Sequence, residues 1–399
     1  MKEESELSSV LRWTMALGIC ISVANIYYNQ PLLADMMKDF QLSQQAIGWV
    51  PILTLLGYSL GLLWVVPLGD MLEKKITILV CLSIAMVFLI FIGLSQNPWE
   101  LFLSSLGLGI FSVTPQLMIP FAAQLSRGKD SGKVVGFLMS GLLVGILLSR
   151  TFSGWIGLHM GWRWVYFIAA FLIFILIWIL YFRLPQFKPE YLGNYQELFG
   201  SLFQLIRKYP SLRESAMIGF FLFAAFNLFW STLVFILKTP PYHYGSDMAG
   251  YFGLIGAAGA IFAPILGKLA DQKGPRFIIG LGILLEILSF FLLWLGGNYF
   301  PALILFVVLM DLAQQGSHIS NQSKVFKLDP ESRSRMNTIY MFSAFIGGSM
   351  GSAIGSWAFS HFGLKGLAGS GMGLVFLALI IFSMKRFSNP WLLSRKVDS

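Results

Sequence analysis

Asp311, Gln315, His318 and Gln322 fall at i, i+4, i+7 and i+11, with Gln314 and Asn321 beside them, and on a helix they form one polar stripe. Aspartate can carry a proton and histidine can relay one near neutral pH, although a lone buried histidine is more often structural. Asp311 stands about ten residues into a long apolar run, roughly 15 Å deep at 1.5 Å per residue. A stripe this polar cannot face lipid. It is either a hydrogen-bonded internal seam or the lining of a cavity, and the depth of its acid favours the cavity.

Arg150 lies about sixteen residues into another apolar run, roughly 24 Å along it. Arginine stays charged, and its fork suits a carboxylate. Asp35, Asp311 or an anionic ligand group could supply one, and snorkelling to the interface is the bland alternative. Glu286, in the middle of a further run, is expected to be neutralised by burial or turned toward a neighbouring helix. It ranks below Asp311 as a proton carrier.

Asn25, Tyr28 and Asn29 share a helix face in the first apolar run, with Tyr27 and Gln30 alongside and Pro31 able to break the helix. Pro115, Gln116 and Pro120 mark the fourth run, and Asn227, Trp230 and Ser231 the seventh. Each could be no more than an interhelical hydrogen bond. An enzyme would need a nucleophile with its base, or a metal cluster, and no HExxH metal motif occurs. No Walker A motif is present either, so nucleotide does not drive the chemistry. No catalytic residue, metal or cofactor is expected.

The elements that must hold these side chains follow from composition. Hydrophobic residues make up 56% of the 399 and charged residues 12%, and apolar stretches long enough to cross roughly 30 Å of hydrocarbon recur throughout. Spans are predicted near 13–34, 44–67, 76–95, 100–124, 134–156 and 164–183, then 214–237, 248–268, 276–295, 300–322, 336–358 and 364–385. These are helices, because backbone in lipid must satisfy its own hydrogen bonds and barrel-type alternation is absent. The expected class is therefore an all-α integral membrane protein with twelve transmembrane helices.

With the N-terminus inside, the outer loops hold only Lys38, Arg163, Lys238 and Lys365 of the basic residues, apart from Arg150 within its span. Both termini are thus placed in the cytoplasm. The net charge of +9 follows from that topology and gives no reason to expect nucleic acid. Cys20 and Cys81 sit in spans, so no disulfide framework is indicated. The first span lacks a small-residue cleavage pattern and is retained. Residues 184–213 form the longest polar segment, with a basic cluster at Arg207, Lys208 and Arg213. It divides an N-terminal six-helix bundle, 1–183, from a C-terminal one, 214–399. Its Leu198–Ile206 portion is either an amphipathic surface helix or a solvated linker.

The inner loops of the two halves echo one another. Gly267, Asp271, Gly274 and Arg276 lie between spans eight and nine, and Gly69, Asp70, Lys74 and Lys75 between spans two and three. An acid followed by fixed cations at a helix junction makes a breakable electrostatic latch. On these residues the chain resembles the major facilitator superfamily over essentially its whole length. Gly267, Asp271, Gly274 and Arg276 fit that family's loop signature, whereas the first copy departs from it at Val66, Met71 and Glu73. Asn25–Leu33, Gly145–Arg150, Asn321–Ser323 and Leu328–Asn337 are similar to a bacterial, drug-efflux-like branch.

The resemblance implies two bundles related by pseudo-twofold symmetry, with spans one, four, seven and ten around a central cavity. Asn25, Tyr28, Asn29, Gln116, Asn227, Trp230 and Gln315 would then line it, suiting a ligand with an apolar body and a few polar groups. Proton coupling would fall to Asp311, with His318 and Arg150. The family's early span-four arginine is missing, Ser104 and Ser105 standing nearby, and Ile146 replaces the proline of the antiporter pattern in span five. The latch would comprise Asp70, Lys74, Lys75, Asp271 and Arg276. Small residues four apart, Gly57 with Gly61, Gly141 with Gly145, Ala249 with Gly253, and Gly347 with Gly351 and Gly355, would be sliding surfaces between the halves rather than static packing.

The implied function is proton-coupled efflux of a small amphipathic compound by alternating access, in a bacterial inner membrane. Transport of a small organic anion or sugar-like metabolite, and passive facilitation, are the alternatives. The expected partners are a small-molecule substrate, protons and the bilayer, with the chain a monomer.

Overall fold

The protein is described by a computed structural model covering residues 8–126, 131–187, 195–329 and 332–384, with the side chains of 70, 131, 196, 257–268, 270 and 271 outside the description. The side chains of Asp70 and Asp271, expected in the latch, fall among the latter, as does Gly267 of the loop signature, and Pro189 of the polar segment lies outside altogether.

Helices carry the described chain. The first half runs through α1 (Ser9–Ala24), α2 (Asn29–Asp39), α3 (Gln44–Ile47), α4 (Trp49–Met71), α5 (Lys74–Leu94), α6 (Pro98–Phe111), α7 (Thr114–Leu125), α8 (Ser131–Met160) and α9 (Trp162–Arg183). After it come α10 (Tyr195–Lys208), α11 (Pro210–Trp230), α12 (Leu233–Lys238), α13 (Ser246–Lys273), α14 (Pro275–Gly296), α15 (Phe300–Phe326) and α16 (Arg333–Ser383). Among the described residues, 10 helical stretches are long and apolar enough to cross a membrane. One of them is the 51-residue α16, which Gly363 divides with a φ of 61° that a side chain would resist. Counting its two arms separately and adding the 28-residue α13 restores the twelve expected spans.

Three spans are broken in mid-course. Span one stops at Ala24 and resumes at Asn29, because Pro31 has no N–H and its ring crowds the carbonyl of Tyr27 four residues back. Gln30 N–H takes that carbonyl instead, at 3.3 Å. Span four breaks at Ser112 and Val113, just before Pro115 in the first turn of α7. Span seven breaks at Ser231 and Thr232 with no proline nearby. There the Ser231 hydroxyl donates to the Asn227 carbonyl at 2.6 Å and Thr232 to that of Leu228 at 2.8 Å. Side chains so internalise acceptors that lipid could not satisfy.

The chain forms two compact units, Met1–Tyr195 with Leu233–Leu254, and Gln196–Thr232 with Ile255–Ser399. In the first unit α4 packs on α6, α1 on α8 and α5 on α9, while α12 lies on α2. The first turns of α13 join it through α8, since a Cβ at Gly154 would come within 2.5 Å of the Ser246 carbonyl and one at Gly250 within 2.8 Å of that of Arg150. In the second unit α11 packs on α16, and α14 on α15. α10 is a complete helix whose Leu198, Leu202 and Leu205 are buried, as the amphipathic alternative expected.

The small-residue rows correct the expectation in part, for a Cβ at Gly253 would meet the Leu147 carbonyl and Arg150 Cβ on α8, each at 3.0 Å, joining spans eight and five from different halves, whereas the other three rows find their neighbours within their own half. Gly57 and Gly61 abut the carbonyls of Leu106 and Ile110 on α6, inside their own unit. Gly141 and Gly145 meet those of Ala16 and Cys20 on α1; Gly347, Gly351 and Gly355 meet those of Phe220, Ala224 and Leu228 on α11. Each row of the fifth span in a half thus lies against the first span of that half, the same relation twice. Sequence spacing reports that a helix face is small, and the partner is chosen by the fold.

Candidate functional site

In the first unit the polar side chains converge on α4. Asn29, released by the break in span one, donates its Nδ2 to Thr54 Oγ1 at 3.3 Å, and Gln116, just past the break in span four, donates to the Tyr58 hydroxyl at 3.4 Å. Thr54 and Tyr58 are one turn apart on one face of α4, so they hold Asn29 and Gln116 at adjacent levels. Asn25 caps α1 and is buried, and among the described residues neither polar atom of its side chain has a hydrogen-bond partner. Tyr28 packs against Phe152, ring centroids 5.9 Å apart. Neither Thr54 nor Tyr58 was anticipated, although two polar residues four apart in an apolar span were a readable signal.

Arg150 is 1% exposed. Its Nε donates to Gln30 Oε1 at 2.7 Å and its guanidinium lies 5.0 Å from the centre of the Tyr27 ring. Asp35 is engaged elsewhere, accepting from Lys238 at 3.0 Å. The broken segment of span one, rather than Asp35, therefore receives the arginine. Snorkelling does not describe a side chain so enclosed.

In the second unit Asp311 is 2% exposed. A Cβ at Gly256 would touch both Asp311 Oδ1 and Trp230 Cζ2, each at 3.2 Å, so the acid and the indole share a seat on α13. Trp230 ends α11 at its break, and Asn227, one turn earlier, gives its Nδ2 to the Phe223 carbonyl at 3.0 Å. The Oδ1 of Asn227 has no partner among the described residues. Gln315 is half-buried.

The stripe on α15 divides in two. His318 Nδ1 stands 3.0 Å from the Tyr340 hydroxyl, and Gln322 donates to Asn337 Oδ1 at 2.9 Å. Both partners lie on α16, so this lower half is a hydrogen-bonded seam. Asp311 and Gln315 form the upper half, where Trp230 and Gly256 meet α15. His318 is thereby held through its Nδ1 by Tyr340.

Of the latch residues, the structure describes contacts of Lys74, Lys75 and Arg276. Lys74 donates to Gln124, and Lys75 lies 5.3 Å from the centre of the Tyr181 ring. Arg276 Nη1 bonds Glu214 Oε1 at 2.8 Å and its Nη2 the Phe382 carbonyl at 2.6 Å, while Lys324 takes Glu214 Oε2 at 2.5 Å. Sequence reasoning missed Glu214, a single acid near the start of span seven.

Two other features offer no chemistry. A groove of about 440 Å³ between α5 and α9 is lined by Met86, Ile90, Phe167, Ala170, Phe171 and Phe174, and without a polar group it can seat only hydrocarbon. The run Gly347 to Gly351 has the GxSxG spacing of hydrolase elbows. It lies mid-helix with its glycines against carbonyls of α11, not on the strand-to-helix turn that exposes a nucleophile.

Residues 15–285 and 252–395 match the sequence profile of the Major Facilitator Superfamily. A protein of Escherichia coli O157:H7 named "Uncharacterized transporter YgaY" is 38% identical over 381 residues, 96% of this chain and 97% of its own. A "Probable sugar efflux transporter" of Helicobacter pylori (strain P12) is 24% identical over 375 residues, covering 89% and 90%. Among solved structures, a bacterial homologue of the human lysosomal transporter Spinster, inward-facing and unoccupied, superposes with a TM-score of 0.77 at 16% identity, covering 94% of this chain and 95% of that one. At that identity the likeness is one of fold.

Proposed function

Because this chain belongs to the Major Facilitator Superfamily and is a multi-pass membrane transporter rather than an enzyme, we propose that it exports a small amphipathic organic compound in exchange for protons. It works by alternating access in a bacterial inner membrane, with both termini in the cytoplasm and the chain acting as a monomer. Asp311 carries the reading. An acid 2% exposed in the middle of a membrane helix is costly to retain without a task, and Trp230 offers an apolar face on the same seat at Gly256. Asn25, Tyr28, Asn29, Gln116, Asn227, Trp230 and Gln315 contribute the ligand surface. The amides of Asn25 and Asn227 support this, each presenting a buried polar atom with no partner among the described residues. Asp70 and Asp271, with the cations near them, act as the gating latch.

The test is dye extrusion by everted membrane vesicles, using ethidium as the amphipathic probe, with and without a pH gradient. Gradient-dependent extrusion that Asp311→Asn abolishes is the expected result; extrusion at the wild-type level in that variant removes Asp311 as the coupling residue. A sugar-like substrate is the second reading, favoured by the Helicobacter relative's name and by the number of amides. Counterflow of labelled monosaccharides in the same vesicles distinguishes it.

A further inference from the structure

α10 is covered along one side and bare along another. Leu198, Leu202 and Leu205, at i, i+4 and i+7, are buried. On the next flank of the helix Phe199 and Phe203, one turn apart, hold their ring centroids 5.7 Å from each other, and Phe203 is 57% exposed. Arg207 follows Phe203 by one more turn and is exposed too, so an aromatic surface and a guanidinium share one edge. A side chain of that kind lays its stem along apolar surroundings and keeps its charge at the rim.

The C-terminal end of α10 gathers positive charge. Arg213 turns back and gives Nη1 to the carbonyls of Ile206 and Arg207, at 2.8 and 2.9 Å. One cation thus satisfies the helix terminus, and the side chains of Arg207 and Lys208 are left exposed beside it. Lys208 lies 5.1 Å from the centre of the Tyr209 ring. The acids near this end are engaged: Glu214 is held by Arg276 and Lys324, and Asp329 accepts from the Tyr209 hydroxyl at 3.2 Å. Glu197 stands ten positions before Arg207, about 15 Å along the helix.

Both ends of α10 are fixed at the level of the membrane surface. Tyr195, its first residue, donates its hydroxyl to the Trp64 carbonyl at 3.2 Å. Trp64 is 49% exposed on α4, seven residues before that helix ends at Met71, about 10 Å from its inner end and at the depth where interfacial tryptophans collect. At the other end, Tyr209 alone separates α10 from Pro210, which opens α11. A helix tethered in this way lies along the inner surface instead of standing off in the cytoplasm.

We propose that α10 docks on anionic phospholipid of the inner leaflet, Phe203 entering the acyl region while Arg207 and Lys208 bind the headgroup phosphate. Charge complementarity selects this occupant, because the cytoplasmic leaflet carries the negative surface potential and a guanidinium fork fits phosphate. The lipid holds to the membrane the segment that links the two halves of the chain. Neither substrate nor proton takes part, so the site is separate from the one described above.

The experiment places a bimane fluorophore at Gly200→Cys, where a Cβ meets nothing within 4 Å, in a Cys20→Ser, Cys81→Ser background. The full-length protein is reconstituted into phosphatidylcholine vesicles containing a minor fraction of phosphatidylglycerol. Bromine, a quencher, is carried near the headgroup end of the acyl chains of one lipid or the other. At equal mole fraction, brominated phosphatidylglycerol is expected to quench the more strongly, with an excess that shrinks as potassium chloride is raised. Arg207→Gln and Lys208→Gln should each cut the enrichment of phosphatidylglycerol at the label by about fivefold, and Arg207→Lys should keep most of it. Phe203→Ser should weaken quenching by both lipids alike. Equal quenching by the two lipids overturns the choice of an anionic headgroup, and quenching by neither overturns the docking itself. An excess that survives the two Gln substitutions together removes these cations from the site. Displacement of the excess by inorganic phosphate, at an ionic strength where chloride leaves it intact, would make the ligand a free anion and overturn the lipid.

Discussion

Arg276 Nη1 stands 2.8 Å from Glu214 Oε1, and the two side chains differ sharply in exposure, 42% against 1%. Lys324 occupies the other oxygen of the same carboxylate. One acid therefore ties α11, α14 and α15 together, and Arg276 extends the tie to α16 through the Phe382 carbonyl.

That asymmetry predicts which truncation matters. Glu214→Ala strands two cations at once, and a buried charge-assisted pair lost on one side costs about 1–3 kcal/mol. Arg276→Ala removes a partly exposed group, for which solvent screening leaves no more than about 1 kcal/mol. Thermal unfolding in detergent should show Glu214→Ala melting well below Arg276→Ala, and the reverse order would mean that the cluster is not centred on the acid.

The glycine rows give a second contrast. A Cβ at Gly351 would lie 1.9 Å from the Ala224 carbonyl, whereas one at Gly136 meets nothing within 4 Å. Gly351→Ala must push α16 off α11 and is expected to destabilise by about 1–3 kcal/mol. Gly136→Ala should stabilise by about 0.4–1 kcal/mol through the unfolded chain. Fluorescence-detected melting of both variants reads the difference directly.

Gln30 and Asp35 should separate in the same way. Asp35 and Lys238 are 31% and 36% exposed at the side chain, so Asp35→Asn should cost less than about 1 kcal/mol. Gln30→Leu withdraws the acceptor of Arg150 Nε in a closed site and should cost about 1–3 kcal/mol. Equal effects in a melting assay would mean that Arg150 draws on Asp35 after all.

Tyr340→Phe tests the seam. Removing the hydroxyl from His318 Nδ1 should lower stability by about 1 kcal/mol while the pH profile of dye extrusion keeps its shape. A profile displaced along the pH axis would return His318 to the proton path.

The spans, their doubling and the polar stripe on α15 were legible because lipid imposes hydrophobic length and helical period on sequence directly. The break in span one was legible in Pro31, which fixes its place by geometry. That in span seven was not, since Ser231 and Thr232 become capping groups only once the helix has opened. Glu214 was unreadable for a different reason. Its partners lie 62 and 110 positions away, and a single acid near a span end looks like any interfacial charge. Three of the four small-residue rows were seen and given the wrong neighbours, because four-residue spacing describes one surface and leaves the opposing surface open.

The two hydroxyls at Ser231 and Thr232 have a consequence for how such a chain can bend inside a bilayer. The boundary between the two units falls immediately after Thr232, where the Thr232 amide turns to the Phe229 carbonyl and its hydroxyl takes that of Leu228, while the Ser231 hydroxyl joins the Ser231 amide on Asn227. A joint built this way needs neither water nor a loop. Its cover is carried on the side chains, which keep the Asn227 and Leu228 carbonyls satisfied within the hydrocarbon.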